Sequence, residues 1–178
     1  MAKKKKKAKL QRALFPMKNH RVTCASYEGI HRNHSRGVPH DYPADLAGED
    51  SGRDWFRAPC DLIVLRRYTK ASHAIWLRSK KKVDMPYGVG YLYIMSEHQD
   101  NNEMKAVGET YKQGEECFRE GKNGNASGNH LHVSCGFSKK KRPLNGSGWM
   151  RNSRGAWVLC IKGVTPIKLF QAFYKENA

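Results

Sequence analysis

Residues 125–136 read NASGNHLHVSCG and place two imidazoles, His130 and His132, on either side of a single leucine. On a helix, positions two apart point in different directions; on a strand they project from the same face. Leu131 and the apolar Val133 follow a Gly/Asn/Ser-rich stretch, a pattern that predicts a strand with both rings aimed at one place. Neutral imidazole is a standard zinc ligand, and a catalytic zinc takes about three protein donors and leaves a fourth position for water. For His132, the best upstream supply of partners is HSRGVPHDYPADLAG, where His40 and Asp45 lie five apart in a proline-containing loop. A carboxylate and two imidazoles hold a dication while leaving it acidic enough to activate water near neutral pH.

Short strands must position these residues. The segment 18–45 is rich in His, Gly and Pro and reads as loop, with one short strand at 21–25. Residues 55–68, which include APCDLIVLRRY, form a β-branched run begun by a proline; HAIWL at 73–77 and VGYLYIM at 89–95 are two more, with Gly88 and Gly90 marking a bend. Glycines recur through GETYKQGEECFREG, so short strands and turns are expected there rather than a helix. HLHVSCG and residues 156–161 complete the set. Only 166–174, with Leu169, Phe170 and Phe173, has helix-like spacing. The expected fold is all-β, a mainly antiparallel sheet whose long loops form a groove, with a short C-terminal helix allowed.

The 178 residues fit one domain with a proper core. The expected division is a basic, disordered head at 1–16 and a single domain at 17–178. No apolar run approaches the roughly 20 residues that span a bilayer. The basic start is followed by a stretch too short and broken for a secretory signal, so synthesis in the cytoplasm without a leader is expected. Formal net charge is +17, from 33 Lys and Arg against 16 Asp and Glu. Seven cations lie in the head, and the remaining 26 against 16 still leave +10 on the body, with clusters at Lys80–Lys82 and Lys139–Arg142. Such a field concentrates polyanions; nucleic acid, anionic membrane and anionic wall polymer all satisfy it. Cys24, Cys60, Cys117, Cys135 and Cys160 are odd in number and contain no CxxC pair, so they read as thiols filling apolar space.

In order along the chain, HDYPADLA, YLYIMSEH and GKNGNASGNHLHV resemble the three landmarks of lysostaphin-type zinc endopeptidases, which cut the peptides of bacterial peptidoglycan. APCDLIVL resembles a further strand of that family, with Leu62 where glycine is usual, and the resemblance covers roughly residues 18–136. It implies one zinc ion per chain, with His40, Asp45 and His132 as ligands. It makes His130 the general base and His98 the residue that orients water or stabilises the tetrahedral intermediate. The family separates its first His and Asp by three residues and this chain by four, so His34 or His31 on a longer loop could replace His40. Asp41 competes with Asp45 as a loop carboxylate; Tyr27 and Tyr42 could donate to an oxyanion; His20 and His73 have no motif around them. A monomeric phage endolysin that acts on the wall after release, aided by its cationic clusters on anionic wall polymers, is the implied whole.

Two rivals remain. HRNHSRG superficially resembles the His-Asn-His metal nucleases, but its residues are crowded into one loop, and it would leave His98 and the HLH strand unused. A non-catalytic basic module that binds nucleic acid or wall polymer would account for the charge and leave the histidine pattern unexplained.

Overall fold

The computed structural model describes residues 10–17, 21–25, 31, 43–48, 52–70, 72–100, 104–142, 149–151, 157–159, 162–164 and 166. Its strands are β1 (Gln11–Arg12), β2 (Arg21–Cys24), β3 (Ala44–Ala47), β4 (Trp55–Arg57), β5 (Leu62–Tyr68), β6 (Ala74–Ser79) and β7 (Val83–Met85). They continue with β8 (Gly88–Glu97), β9 (Thr110–Tyr111), β10 (Glu116–Arg119), β11 (Leu131–Ser138), β12 (Trp149–Arg151), β13 (Trp157–Leu159) and β14 (Lys162–Val164). The fold is all-β, as the spacing predicts. The expected C-terminal helix lies outside the described residues.

Ten strands form one sheet with the order β2-β3-β11-β8-β6-β5-β9; β14 also pairs with β11, and β7 joins β8 to β1. Every pairing is antiparallel except that of β1 with β7. The run 55–68 divides into β4 and β5 at Pro59, which has no N–H to offer a ladder. β3 sits where the sequence reads as loop. Four residues with a charge in the middle are too few to show alternation, and partners on both sides create this strand. Residues 10–16 of the expected basic head pack on the folded body: Gln11 and Arg12 pair with Val83 and Asp84, and Ala13 is buried.

Side-chain alternation gives the sheet two distinct faces. Leu131, Val133 and Cys135 of β11, Leu92 and Ile94 of β8, and Ile75 and Leu77 of β6 face one way and are fully buried. The antiparallel β4–β10 pair covers them, its Phe56 and Phe118 stacked at 4.8 Å. Burying such side chains contributes roughly 1.5–3 kcal/mol each, so this layer holds the strand register. His132, Ser134, Met95, Tyr93, Trp76 and Arg78 face the other way.

Glu120, immediately after β10, ties the end of β3 into this frame. Its buried carboxylate accepts from Gly48 N at 3.2 Å through both oxygens and from Asp54 N at 2.9 Å. Glu120→Ala would strand buried N–H groups and is expected to destabilise the protein by about 3 kcal/mol, read as a lower midpoint in chemical denaturation. A midpoint within experimental error of the parent would refute the clamp.

The exposed runs Lys80–Lys82 and Lys139–Arg142 leave β6 and β11 at the end of the sheet where β8 begins. His132 and Glu97 lie at the other end of the same strands.

Candidate metal centre and histidine pair

Register builds the site. Asp45 on β3 stands opposite His132 on β11, which stands opposite Glu97 on β8. Opposed residues share a face, so one row across three strands carries a carboxylate, an imidazole and a second carboxylate. His31 enters from the chain between β2 and β3 and is fully buried.

Three donor atoms converge. His132 Nδ1 is 3.0 Å from Asp45 Oδ1, His31 Nε2 is 3.2 Å from the same oxygen, and the two nitrogens are 3.2 Å apart. A tetrahedral zinc with bonds of about 2.0–2.1 Å separates its ligand atoms by about 3.3 Å, so the triangle has the size of one face of that tetrahedron. Hydrogen bonds alone satisfy such a triangle poorly, because one carboxylate oxygen and two nitrogens crowd a space suited to a cation. The tautomer of His31 agrees. Its Nδ1–H donates to the Ala25 carbonyl at 3.1 Å, which leaves the Nε2 lone pair turned to the triangle. Burial works against the Asp45 carboxylate, but in their protonated forms His132 and His31 outweigh it by hydrogen bonds and charge and hold its pKa well below the usual range; a bound cation would take the place of those protons.

A second pair of rings lies beside the triangle. His130, two residues before His132 on the same face, places Nε2 3.8 Å from Asp45 Oδ1, and its Nδ1–H donates to Gly128 O at 2.9 Å. His98 follows β8 with a φ of +75°, and its Nδ1–H donates to Asn123 O at 2.6 Å. The two ring centroids are 4.8 Å apart. Each Nε2 is therefore a proton acceptor when its ring is neutral. Burial pushes the His98 pKa below the ordinary imidazole value, His130 and His132 push the same way, and the Asn123 bond opposes them. The cleft here is also lined by Glu97 and by Asn125, Ala126 and Ser127 of the loop before β11.

Gly121 locks the pair together. It bridges to His130, and a Cβ at this position would meet His98 O and Asp100 N at 2.6 Å. Gly121→Ala must push the backbone of residues 98–100 away from that of residue 130. In any reaction that uses this histidine pair it is expected to lower turnover about 100-fold while leaving the donor triangle able to bind an ion. Unchanged turnover, measured beside ion stoichiometry, would show that the spacing of His98 and His130 is not critical.

The structure thus brings together four of the five expected residues: Asp45, His98, His130 and His132. His40 lies outside the described residues, as do His20, His34, Asp41, Tyr27 and Tyr42. The described donor that completes the triangle is His31, the longer-loop alternative. His73 is structural, its Nδ1–H donating to Gln99 O at 3.0 Å. Cys60, Cys117 and Cys135 are buried fillers, as expected, whereas Cys24 is half-buried beside the site. Glu97 went unread in the sequence; the clue was its place immediately before His98 at the end of a strand.

No family model matches the chain. The chain is 30% identical over 90 residues to Morphogenesis protein 1 of Bacillus phage B103, in a match that takes in 51% of this chain and 24% of that protein. It therefore spans about a quarter of the length of this curated relative. Among solved structures it is similar to a candidate glycyl-glycine endopeptidase lytM from Ruminococcus gnavus ATCC 29149, with a TM-score of 0.53 and 17% identity over 94% of this chain and 62% of that one. It is also similar to the structure of the SpoIIQ–SpoIIIAH pore-forming complex, with a TM-score of 0.52 and 16% identity over 94% of this chain and 98% of that one. These likenesses show a fold shared with both proteins. One of the two is named for peptide-bond hydrolysis and the other for pore formation, so the residues of the site must decide between activities.

Proposed function

We propose that the protein is a zinc-dependent endopeptidase of the lysostaphin type that hydrolyses peptide bonds in the crosslinks or stem peptides of bacterial peptidoglycan. The observation that carries this reading is the convergence of His31, Asp45 and His132 within 3.2 Å, with His98 and His130 beside them. The likeness to a morphogenesis protein of a Bacillus phage supports a phage setting for this activity, and the exposed lysine runs supply attraction to anionic wall polymers.

His31, Asp45 and His132 would hold one ion. Zinc bound there supplies a Lewis acid that polarises the scissile carbonyl and acidifies water. His130 Nε2 accepts the proton of the attacking water and returns it to the departing amide nitrogen. His98 Nε2 accepts a second hydrogen bond and fixes the orientation of that water. The Gly128 and Asn123 carbonyls hold the two rings in the tautomer that keeps each Nε2 unprotonated. Asn125, Ala126 and Ser127 wall the cleft against the peptide.

Purified chain incubated with defined peptidoglycans is expected to release peptide fragments with new amino termini, identified by mass spectrometry. Chelation should stop this release, and added zinc should restore it. Chain carrying one zinc that released nothing from any crosslink type would overturn the enzymatic reading in favour of a non-catalytic wall-binding module.

A further inference from the structure

A further group able to ligate a metal stands beside the triangle. Cys24 Sγ, a His31 ring nitrogen and an Asp45 oxygen all lie within 4.8 Å of one another. Cys24 owes this place to an irregularity in the β2–β3 ladder. Val22 pairs with Leu46 and Cys24 with Asp45, so Thr23 is skipped. A bulge of this kind re-aims a side chain, and here it sets Cys24 opposite Asp45 and therefore on the same face. Without it Thr23 would oppose Asp45, and the sulfur would point into the other face. The row across the sheet then reads Cys24, Asp45, His132, Glu97 on four adjacent strands.

The next residue reinforces the arrangement. The Ala25 carbonyl that accepts His31 Nδ1–H at 3.1 Å also lies 3.8 Å from Cys24 Sγ. One short segment therefore both orients a ligand and presents a thiol. With a zinc–sulfur bond of about 2.3 Å and zinc–oxygen near 2.0 Å, sulfur and oxygen on one tetrahedral ion lie about 3.5 Å apart. A turn of the Cys24 side chain by roughly an ångström at Sγ, toward Asp45, reaches that distance from the 4.8 Å limit.

We propose that Cys24 is a fourth protein donor, so that the resting site is a closed Cys24, His31, Asp45, His132 set. This rests on the metal centre proposed above. Binding breaks the S–H bond, forms the metal–sulfur bond and releases the proton to solvent. Thiolate and carboxylate together cancel the charge of a divalent ion and leave no position for water. Hydrolysis then requires the sulfur to leave the ion, and anything that removes the thiolate, such as alkylation or oxidation by peroxide, opens the site. Catalytic sites keep an open position and structural ones are closed; this site would move between the two.

The test uses the whole chain, stripped of metal and titrated with cobalt(II). The parent is expected to show visible tetrahedral bands together with the near-ultraviolet charge-transfer band of a cobalt–thiolate bond. Cys24→Ser should keep the visible bands and lose the charge-transfer band. Visible bands without charge transfer in the parent would overturn the role of Cys24 and leave the metal centre standing. A charge-transfer band surviving in Cys24→Ser would overturn it too, by showing another sulfur at work. No cobalt binding by the parent would overturn the metal centre itself. Should Cys24→Ser fail to fold, the parent suffices: alkylation mapped by mass spectrometry should modify Cys24 more slowly with zinc than with chelator, and equal rates would refute the bond.

Discussion

Asp45→Ala should weaken ion binding sharply and stop hydrolysis. Asp45 supplies the oxygen shared by both sides of the donor triangle, 3.0 Å from His132 and 3.2 Å from His31. It is also the only one of the three that brings a negative charge to a dication. Its loss should weaken zinc binding by more than the roughly 10–100-fold lost when a residue that merely supports a ligand is removed. Metal content by elemental analysis and fragment release from peptidoglycan should fall in parallel. His31→Ala should behave the same way, which makes it the sharper test of the first ligand, because His31 rather than His40 stands in the described triangle. Zinc held with parental affinity in either variant would sink that assignment.

His130→Ala should separate chemistry from binding. His130 reaches the site without joining the triangle, its Nε2 3.8 Å from Asp45 Oδ1. A positioned general base contributes about 10²–10⁴-fold, so turnover should fall by that factor while zinc content and the denaturation midpoint hold. A variant that cleared walls at the parental rate would move the base to His98. The pH profile adds a check. Burial lowers the His98 pKa, and a bound dication would lower it further, so His98 loses its proton below the usual imidazole value of about 6.5. Activity lost on acidification through protonation of His98 should therefore disappear only below that value. An acid limb above it would mean that His98 does not control it. The same shift makes the neutral ring the native form: the unfolded chain binds the extra proton first, so stability falls as pH drops through 6.5 toward the folded pKa and is regained as pH rises.

The strands that carry the site were legible because their signals are local. HLHV alternates across two faces, and YLYIMSEH is apolar up to the turn, so β11 and β8 could be read from neighbouring residues. The aim of both imidazoles of HLH followed from the same alternation. β3 was not legible, since four residues become a strand only when β2 and β11 pair with them. Cys24 was hidden for the same reason: residue count along β2 gives the wrong face, and only the skipped Thr23 corrects it. That His31 reaches the triangle could not be read either, since periodicity carries no information in a stretch rich in His, Gly and Pro.

The row Cys24, Asp45, His132, Glu97 draws one residue from each of four strands far apart in sequence. No contiguous segment of the chain can hold the ion, so neither a fragment nor a nascent chain lacking β11 owns a site. Contacts of such long sequence separation form late and slowly. The ion then selects the finished sheet alone, and at a thousand times its dissociation constant it would add about 4 kcal/mol to native stability. Zinc supply would thus set the resistance of the folded chain to unfolding and proteolysis as well as its activity, and metal-stripped chain would be the form most readily degraded.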